Sequence, residues 1–196
     1  MSQFKTLRDY TPEQRVQMVN SFNKMLFVRH PFHRLNAIYY DRLRYDRTIN
    51  DNFQKVIGTD IIRRYRPAKY TSADSLLFGH DVRFTELAEF LTDENNPVRM
   101  DNVHFRSISN LCSPCQMNYT FIGKFETITE DAVMMLKQVN VSLPFGFPNA
   151  DHESRTNDRW GMDMRLLNND LRQSLYREYR RDFELFDYDP EEWRRH

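Results

Sequence analysis

Residues 24–45 read KMLFVRHPFHRLNAIYYDRLRY and predict a strand, a sharp turn and a basic helix in close succession. Met25 to Val28 form a continuous apolar run, which is typical of a strand buried on both faces. Pro31 suits the first helical turn, because its fixed φ is pre-organised and its missing N–H would have no partner there. The other N–H groups of that turn are expected to point toward Arg29, and a guanidinium beside a helix N-terminus favours a phosphate. An ordinary pairing of Arg29 with a carboxylate is the alternative that these residues leave open.

The charge distribution points to an anionic partner, although the total charge is balanced. A chain of 196 residues predicts one domain. Lys plus Arg and Asp plus Glu number 28 each, yet residues 29–69 carry ten Lys or Arg against four Asp. Such a basic half suits a nucleic acid, a phosphorylated cofactor or an acidic glycan. Alternatively, these basic residues simply form the solvated faces of helices.

Other features of the sequence narrow the class of protein. No apolar run is as long as a membrane span, and residues 1–10 lack the apolar core of a signal peptide. Cys112 and Cys115 are spaced as C-x-x-C, which suits half a zinc site, a redox pair or a small disulfide. No second C-x-x-C or close His pair follows, so we expect no metal, and either a disulfide or two ordinary thiols.

Capping residues and apolar periodicity outline an α/β pattern with few strands. Thr11, Pro12 and Gln14 predict a helix to about Phe22. The predicted helices cover residues 12–22, 31–44, 50–66, 84–95, 128–139 and from 169 onward, the strands 25–29 and 119–125, and irregular structure 69–81 and 142–163. In such a layered fold, ligands bind at the carboxyl ends of strands.

Four segments, in this order, resemble the Golgi carbohydrate sulfotransferases of the chondroitin and dermatan 4-O-sulfotransferase group. Residues 27–35, FVRHPFHRL, resemble their 3′-phosphate-binding segment, and residues 58–66, GTDIIRRYR, a basic stretch downstream of it. Residues 102–127, NVHFRSISNLCSPCQMNYTFIGKFET, are similar to a block with His-aromatic, Leu-Cys-x-Pro-Cys and Gly-Lys-x-Glu-Thr elements. Residues 175–188, LYREYRRDFELFDY, resemble their C-terminal helix.

The resemblance implies a fold and a reaction. The fold would be a helix-rich, three-layer α/β sulfotransferase fold, related to that of nucleotide kinases. The reaction would transfer a sulfuryl group from 3′-phosphoadenosine-5′-phosphosulfate to a sugar hydroxyl of a glycosaminoglycan or related glycan. This in-line displacement has needs close to those of phosphoryl transfer and requires no metal.

The resemblance also assigns roles to residues of the cofactor site and to a base. Arg29 would bind the 3′-phosphate with the N-terminus of the helix at Pro31, and Arg34 would be a second phosphate contact or a structural ion pair. His104 would be the catalytic base, since imidazole titrates near neutral pH, unless it is a structural histidine. Lys124 would reach the cofactor or pair with Glu126.

For the acceptor, the resemblance points to a basic cluster. Arg63, Arg64 and Arg66 would bind the anionic sugar chain, although surface arginines need no such role. A nucleic-acid partner is not expected, because the chain has no RNP-like aromatic platform, no helix-turn-helix punctuation and a balanced charge.

Two departures from the family pattern shape the expectation for the whole chain. Ala37 stands where the family has a phosphate-binding Ser, a loss of about 1–2 kcal/mol of binding free energy. The family's 5′-phosphosulfate loop precedes the Arg29 segment, but the 28 residues before Arg29 do not resemble it. We therefore expect residues 1–196 to form one partial sulfotransferase domain without the first strand–loop–helix and without the family's membrane anchor.

The sequence thus predicts a carbohydrate O-sulfotransferase of the lumenal side of the Golgi membrane, reaching the membrane only through an anchor that this chain lacks. The alternative is a non-catalytic remnant or a glycan-binding paralogue without turnover. Binding of adenosine 3′,5′-bisphosphate would separate the two.

Overall fold

The computed structural model describes residues 5–44, 52–142, 147 and 157–195, with residues 157–159 described only as backbone. Over this part of the chain, two short strands alternate with helices. Their bounds are α1 Pro12–Ser21, β1 Met25–Val28, α2 Pro31–Ile38, α3 Thr59–Tyr65, α4 Ala73–Phe78, α5 Phe84–Thr92, α6 Ile108–Cys112, β2 Phe121–Lys124, α7 Ile128–Gln138, α8 Asn157–Leu166 and α9 Asn169–Phe186. The π-helical turn Tyr39–Leu43 extends α2, and the π-helical turn Gln54–Gly58 leads into α3.

The chain divides into two compact units. The strand unit comprises Met1–Val28 and Cys112–Ala150, and the helical unit comprises Arg29–Leu111 and Asp151–His196. In the strand unit, β1 and β2 pair in parallel, with Met25 opposite Phe121 and Val28 opposite Lys124. Both strands therefore end at the same edge of the sheet, and the predicted helix-rich α/β class is confirmed.

The burial of β1 differs from the prediction. Only Val28 is buried, whereas Met25, Leu26 and Phe27 are half-buried. Among the described residues the sheet has two strands, so β1 has a hydrogen-bonded neighbour on one side only. Gly123 of β2 is needed for packing, since a Cβ there would lie 2.6 Å from the Phe27 ring.

The helical unit holds an apolar core built mainly from α2, α3, α5 and α9. The apolar periodicity that predicted two of the helices is confirmed. On α5, Phe84, Leu87, Ala88 and Leu91 are all buried, and on α9 the buried residues are Leu175, Tyr179, Phe183 and Phe186. Each fully buried Leu or Phe side chain contributes roughly 1.5–3 kcal/mol of transfer free energy.

A buried polar contact joins α2 to α8. The Asn36 amide Nδ2 donates to Oδ2 of Asp163 over 2.7 Å. Burial, together with a hydrogen bond to Asp163, raises the pKa of Tyr40 to about 12, so this phenol stays protonated. The hydrogen bond to Asp163 offsets part of the cost of burying the Asn36 amide.

Two stretches predicted to be irregular contain helices. Residues 69–81 include α4, which Ser72 caps by accepting the N–H of Ser75. Residues 142–163 include the start of α8, while 143–146 and 148–156 lie outside the described residues, as do residues 50 and 51 of the predicted second basic helix. Both corrections have one cause: polar, Asp-rich composition marks caps and exposed faces as well as loops.

Two glycines permit a close backbone approach beside α3. Gly79 ends α4 with φ of +62°, a left-handed conformation that favours glycine. A Cβ at Gly79 would lie 2.0 Å from the carbonyl oxygen of Gln54, and one at Gly58 would lie 2.0 Å from that of Gly79. A side chain at either position would force these backbones apart.

Candidate active site

The N-terminus of α2 is capped by a histidine that the sequence did not single out. Nδ1 of His30 accepts the N–H of Phe32 over 3.2 Å. The first turn of α2 therefore has one amide fewer for an anion than predicted, because the N–H of Phe32 is already donated to His30. Arg29, which immediately precedes this cap, is half-buried.

The His30 ring is fixed on all sides. It is fully buried, with its centroid 5.1 Å from the Trp160 ring and 5.2 Å from that of Phe183. Because Nδ1 accepts a hydrogen bond, Nε2 carries the proton and donates to the carbonyl of Asp189 over 3.1 Å. The start of α2 is thereby held rigidly against the C-terminal part of the helical unit.

Arg34 lies on the first turn of α2 and binds backbone carbonyls. Its Nη1 donates to the carbonyl of His104 over 3.3 Å and its Nη2 to that of Arg106 over 2.5 Å. The guanidinium also lies over the Tyr179 ring, 6.0 Å from its centroid. Arg34 therefore has a structural role, but through hydrogen bonds to carbonyls rather than through the ion pair considered for it. Contact of Arg34 with a cofactor stays a prediction.

His104 has an exposed side chain, and its backbone is fixed by hydrogen bonds. Its N–H donates to Oδ1 of Asn102 over 2.9 Å, and its ring packs edge-on to Phe53 with centroids 5.7 Å apart. An exposed imidazole on a fixed backbone is available to a substrate hydroxyl, as a catalytic base must be.

Residues 104–109, which we call the His104 segment, are held by buried groups of α9. The hydroxyl of Tyr179 donates to the carbonyl of Phe105 over 2.8 Å. Burial raises the pKa of Tyr179 far above its ordinary value, so this hydroxyl keeps its proton. The Asp182 carboxylate accepts the N–H groups of Ile108 and Ser109 over 2.7 and 2.8 Å.

Sequence reasoning missed Asp182 and the hydrogen-bonding role of Tyr179, although a signal was present. Asp182 follows Tyr179 by three residues and precedes Phe183 on the apolar stripe of α9, and both are 1% exposed. A carboxylate on such a stripe is buried and must find donors. What the sequence cannot show is that these donors belong to the segment that carries His104.

In the strand unit, Lys124 ends β2. Its N–H donates to Oδ2 of Asp131 over 2.6 Å, and the Thr127 hydroxyl donates to the same oxygen over 3.0 Å. Thr127 and Glu130 have the spacing of a capping box, but no such box forms, because the hydroxyl of Thr127 is directed to Asp131 and makes no cap hydrogen bond. The roles of Lys124 in cofactor binding and in a pair with Glu126 stay predictions.

The three predicted glycan-binding arginines have different surroundings. Arg63 and Arg64 are exposed on α3, and Arg64 pairs with Asp60 one turn earlier over 2.9 Å. Arg66 is 7% exposed and binds both Glu86 oxygens and Oδ2 of Asp81, each over 2.7 Å. A buried guanidinium with such partners is out of reach of a sugar chain, so the prediction of substrate binding is corrected for Arg66.

The cysteine pair is not bonded in the structure. Cys112 is half-buried and Cys115 exposed, and no disulfide joins them. Of the two outcomes expected for the pair, the structure has the thiols. Among the described residues, no group of three or more His, Cys, Asp or Glu side chains is arranged to hold a metal ion.

A half-open cavity of about 270 Å³ in the helical unit contains none of the predicted site residues. It lies between α9 and the C-terminal 3₁₀ turn Glu192–Arg195, where the Arg172 guanidinium stacks 4.7 Å from the centroid of Trp193. Aromatic and charged groups there stabilise one another.

Comparison with known proteins establishes the family. The profile of the sulfotransferase family matches residues 1–189. Carbohydrate sulfotransferase 11 of Rattus norvegicus is 34% identical over 186 residues, which cover 94% of this chain and 52% of the relative. The chain therefore belongs to the sulfotransferase family, as the four segments predicted.

Further relatives carry similar names. Carbohydrate sulfotransferase 9 of Homo sapiens is 33% identical over 175 residues, covering 87% of this chain and 38% of the relative. Carbohydrate sulfotransferase 8 of Mus musculus is 33% identical over 192 residues, covering 95% and 45%. The chain thus spans about half the length of these curated relatives, or less. No solved structure matches the chain significantly.

Within the residues that the structure describes, none of the helices combines the length and apolar character that crossing a bilayer requires.

Proposed function

We propose that this protein is a carbohydrate O-sulfotransferase that transfers a sulfuryl group from 3′-phosphoadenosine-5′-phosphosulfate to a hydroxyl of a glycosaminoglycan or related glycan. The observation that carries the proposal is the presentation of His104, an exposed imidazole on a segment whose backbone is bound by Arg34, Tyr179 and Asp182. Family membership and the names of the relatives support the class of reaction and a carbohydrate acceptor.

In the proposed mechanism, His104 accepts the proton of the acceptor hydroxyl as that oxygen attacks sulfur. The new O–S bond forms in line with the breaking bond between sulfur and the 5′-phosphate oxygen. The products are the sulfated glycan and adenosine 3′,5′-bisphosphate, and the proton leaves from the imidazolium to water. Positioning and charge neutralisation would dominate the rate enhancement, as in phosphoryl transfer.

Arg29 would bind the 3′-phosphate. Because His30 already accepts the amide of Phe32, the charge of Arg29 rather than the amides of α2 would supply most of the attraction. The residues at this end of α2 fit the group in one respect: a half-buried guanidinium beside a helix N-terminus favours a dianion. The family resemblance also assigns Lys124 to the cofactor, and it gives Arg34 either a second phosphate contact or a structural role.

Arg63 and Arg64 would bind the anionic glycan. Both are exposed on the last turn of α3, and their charge would act mainly on the rate of association. The family resemblance further suggests a three-layer fold related to that of nucleotide kinases and action in the Golgi lumen.

A transfer assay tests the proposal. The chain is incubated with radiolabelled 3′-phosphoadenosine-5′-phosphosulfate and desulfated chondroitin, and labelled glycan is counted for the wild type, His104→Gln and the control His80→Gln. We expect transfer by the wild type and by His80→Gln, and a loss of at least about 100-fold in His104→Gln, since a positioned base contributes roughly 10²–10⁴ in rate. Glycan binding without transfer by the wild type would instead identify a paralogue without turnover.

A further inference from the structure

We infer that Arg34 acts in this reaction as a positioning residue, which fixes the segment carrying His104, rather than as a contact to phosphate. The inference rests on the proposed function, because it assumes that His104 is the base. Of the two roles that the family resemblance left open for Arg34, a second phosphate contact or a structural pairing, it favours the structural one and gives it a task in the reaction.

The carbonyl groups of three successive residues show how the segment is held. The carbonyls of His104 and Arg106 accept from Nη1 and Nη2 of Arg34, and the carbonyl between them, that of Phe105, accepts from the hydroxyl of Tyr179. Residues 102–106 form neither helix nor strand. Their carbonyls are therefore oriented by side chains of α2 and α9, and the backbone of His104 follows.

The guanidinium group suits this task better than any other side chain. Two Nη groups in one rigid plane reach two carbonyls that lie two residues apart, which the single ammonium of a lysine does less well. Arg34 also packs on the face of Tyr179, so its two hydrogen bonds and the Tyr179 bond support each other. A guanidinium that donates to carbonyls in this way is directed to protein rather than to phosphate.

For the reaction, Arg34 connects the start of α2 to the segment that carries the base, and both lie in the helical unit. The helix α2 begins two residues after Arg29, which would bind the 3′-phosphate, and its first turn holds the segment of the base through Arg34. A rigid connection of this kind fixes the base relative to the start of the same helix. Loss of the connection should affect the rate of transfer, because displacement of a reacting group by about 1 Å can reduce a rate by on the order of 100-fold.

The test compares Arg34→Met and Arg34→Lys with a matched control, Arg99→Met. Arg99 pairs with Glu178 of α9 over 3.1 Å and donates nothing to the His104 segment. For each variant, three quantities are measured: the Kd of adenosine 3′,5′-bisphosphate, kcat for transfer to desulfated chondroitin, and amide hydrogen exchange at His104 and Phe105.

The positioning role predicts a separation of these quantities. In Arg34→Met, kcat falls at least about tenfold, exchange at His104 and Phe105 accelerates, and the Kd of the bisphosphate stays within about twofold of the wild-type value. Arg34→Lys shows the same changes to a smaller extent, and Arg99→Met shows none. A Kd that rises at least about tenfold in Arg34→Met while exchange at His104 is unchanged would establish a phosphate contact and overturn the inference.

The exchange measurement keeps this inference separate from the proposed function. If the wild type neither binds the bisphosphate nor transfers sulfate, the proposed function fails whatever the Arg34 variants do. If the wild type is active and Arg34→Met keeps both its kcat and its slow exchange, the positioning role alone fails.

Discussion

Two regions of the helical unit use buried polar groups in opposite ways. In the Arg66 cluster, formed by Arg66, Ser75, Asp81 and Glu86, the polar side chains bind one another. Around the His104 segment, the buried side chains of Tyr179 and Asp182 bind backbone groups instead. The charged side chains of the first region pair with one another, whereas the second region leaves the side chain of His104 exposed.

The difference shows what makes a basic residue structural or leaves it available for function. Arg66 lies in a basic stretch that resembles a glycan-binding segment, but its ion pairs make it part of the scaffold. The side chain of His104 instead packs edge-on against Phe53, and the backbone of its segment is held by side chains from α2 and α9. A sequence shows both as basic residues, and only their partners separate them.

The largest effect should come from breaking the Arg66 cluster. Glu86→Ala removes the bidentate carboxylate partner of the Arg66 guanidinium. The Arg66 side chain is 2% exposed and keeps Asp81 as its carboxylate partner. We expect a loss of about 3–5 kcal/mol in the free energy of unfolding, measured by urea denaturation. Asp60→Ala, which removes the partner of the exposed Arg64, should cost no more than about 1 kcal/mol. Equal losses in the two variants would remove the distinction between the cluster and a surface pair.

A smaller effect on stability, with an effect on rate, is expected at the second region. Asp182→Asn replaces one of two accepting oxygens by an NH₂ group, which faces the N–H of Ile108 or Ser109. The expected loss is about 1.5–3 kcal/mol in the free energy of unfolding, together with a reduced kcat for transfer. The rate measurement decides whether this region serves catalysis: a variant that is destabilised but retains the wild-type kcat below its unfolding transition would show a scaffold role only.

The third prediction sharpens the functional side of the comparison. Ala37 on α2 stands where the family carries a Ser, so Ala37→Ser should restore one hydroxyl contact to the 3′-phosphate. We expect the Kd of adenosine 3′,5′-bisphosphate to fall about tenfold, which corresponds to about 1.4 kcal/mol. Ser21, at the end of α1 in the strand unit, offers a control in Ser21→Ala, which should leave the Kd unchanged. No tightening in Ala37→Ser would place the phosphate elsewhere than beside this turn of α2.

The smallest expected effect is a pH dependence of the Arg66 cluster. Burial raises the pKa of Asp81, but hydrogen bonds from Arg66 and Ser75 and the charge of Arg66 outweigh it and leave the pKa below its ordinary value of 3.8. Its contribution to stability is therefore present above 3.8 and is lost as the pH falls through the lower folded-state pKa. Urea denaturation of the wild type and Asp81→Asn should show a difference that narrows below pH 3.8. A difference that is the same on both sides of this pH would contradict the pairing.

The sequence predicted much of the fold from local signals. Thr11, Pro12 and Gln14 located α1, the turn at Pro31 located α2, and apolar periodicity located α9. These features depend on neighbours in the chain, so periodicity and capping rules find them. The helix α4 and the start of α8 were missed, because their polar residues are also typical of loops.

The candidate site was less predictable because its contacts join distant residues. Family resemblance indicated Arg29 and His104, yet the partners of Arg34 lie 70 and 72 residues away in the chain, and those of Asp182 lie 74 and 73 residues away. Arg66 was placed among the glycan-binding residues for the same reason, since its partners Asp81 and Glu86 belong to other elements. Long-range pairing of this kind follows from the packed fold and not from local pattern.

The central claim is that the start of α2 with Arg29 forms a site for the sulfate donor, and calorimetric titration with adenosine 3′,5′-bisphosphate tests it most directly. The titration compares the wild type with Arg29→Met and with Arg42→Met, which removes an exposed arginine further along the same chain segment. We predict micromolar binding by the wild type and by Arg42→Met, and no detectable binding by Arg29→Met. A folded wild type that binds no bisphosphate, or an Arg29→Met variant that binds it as tightly as the wild type does, would contradict the claim.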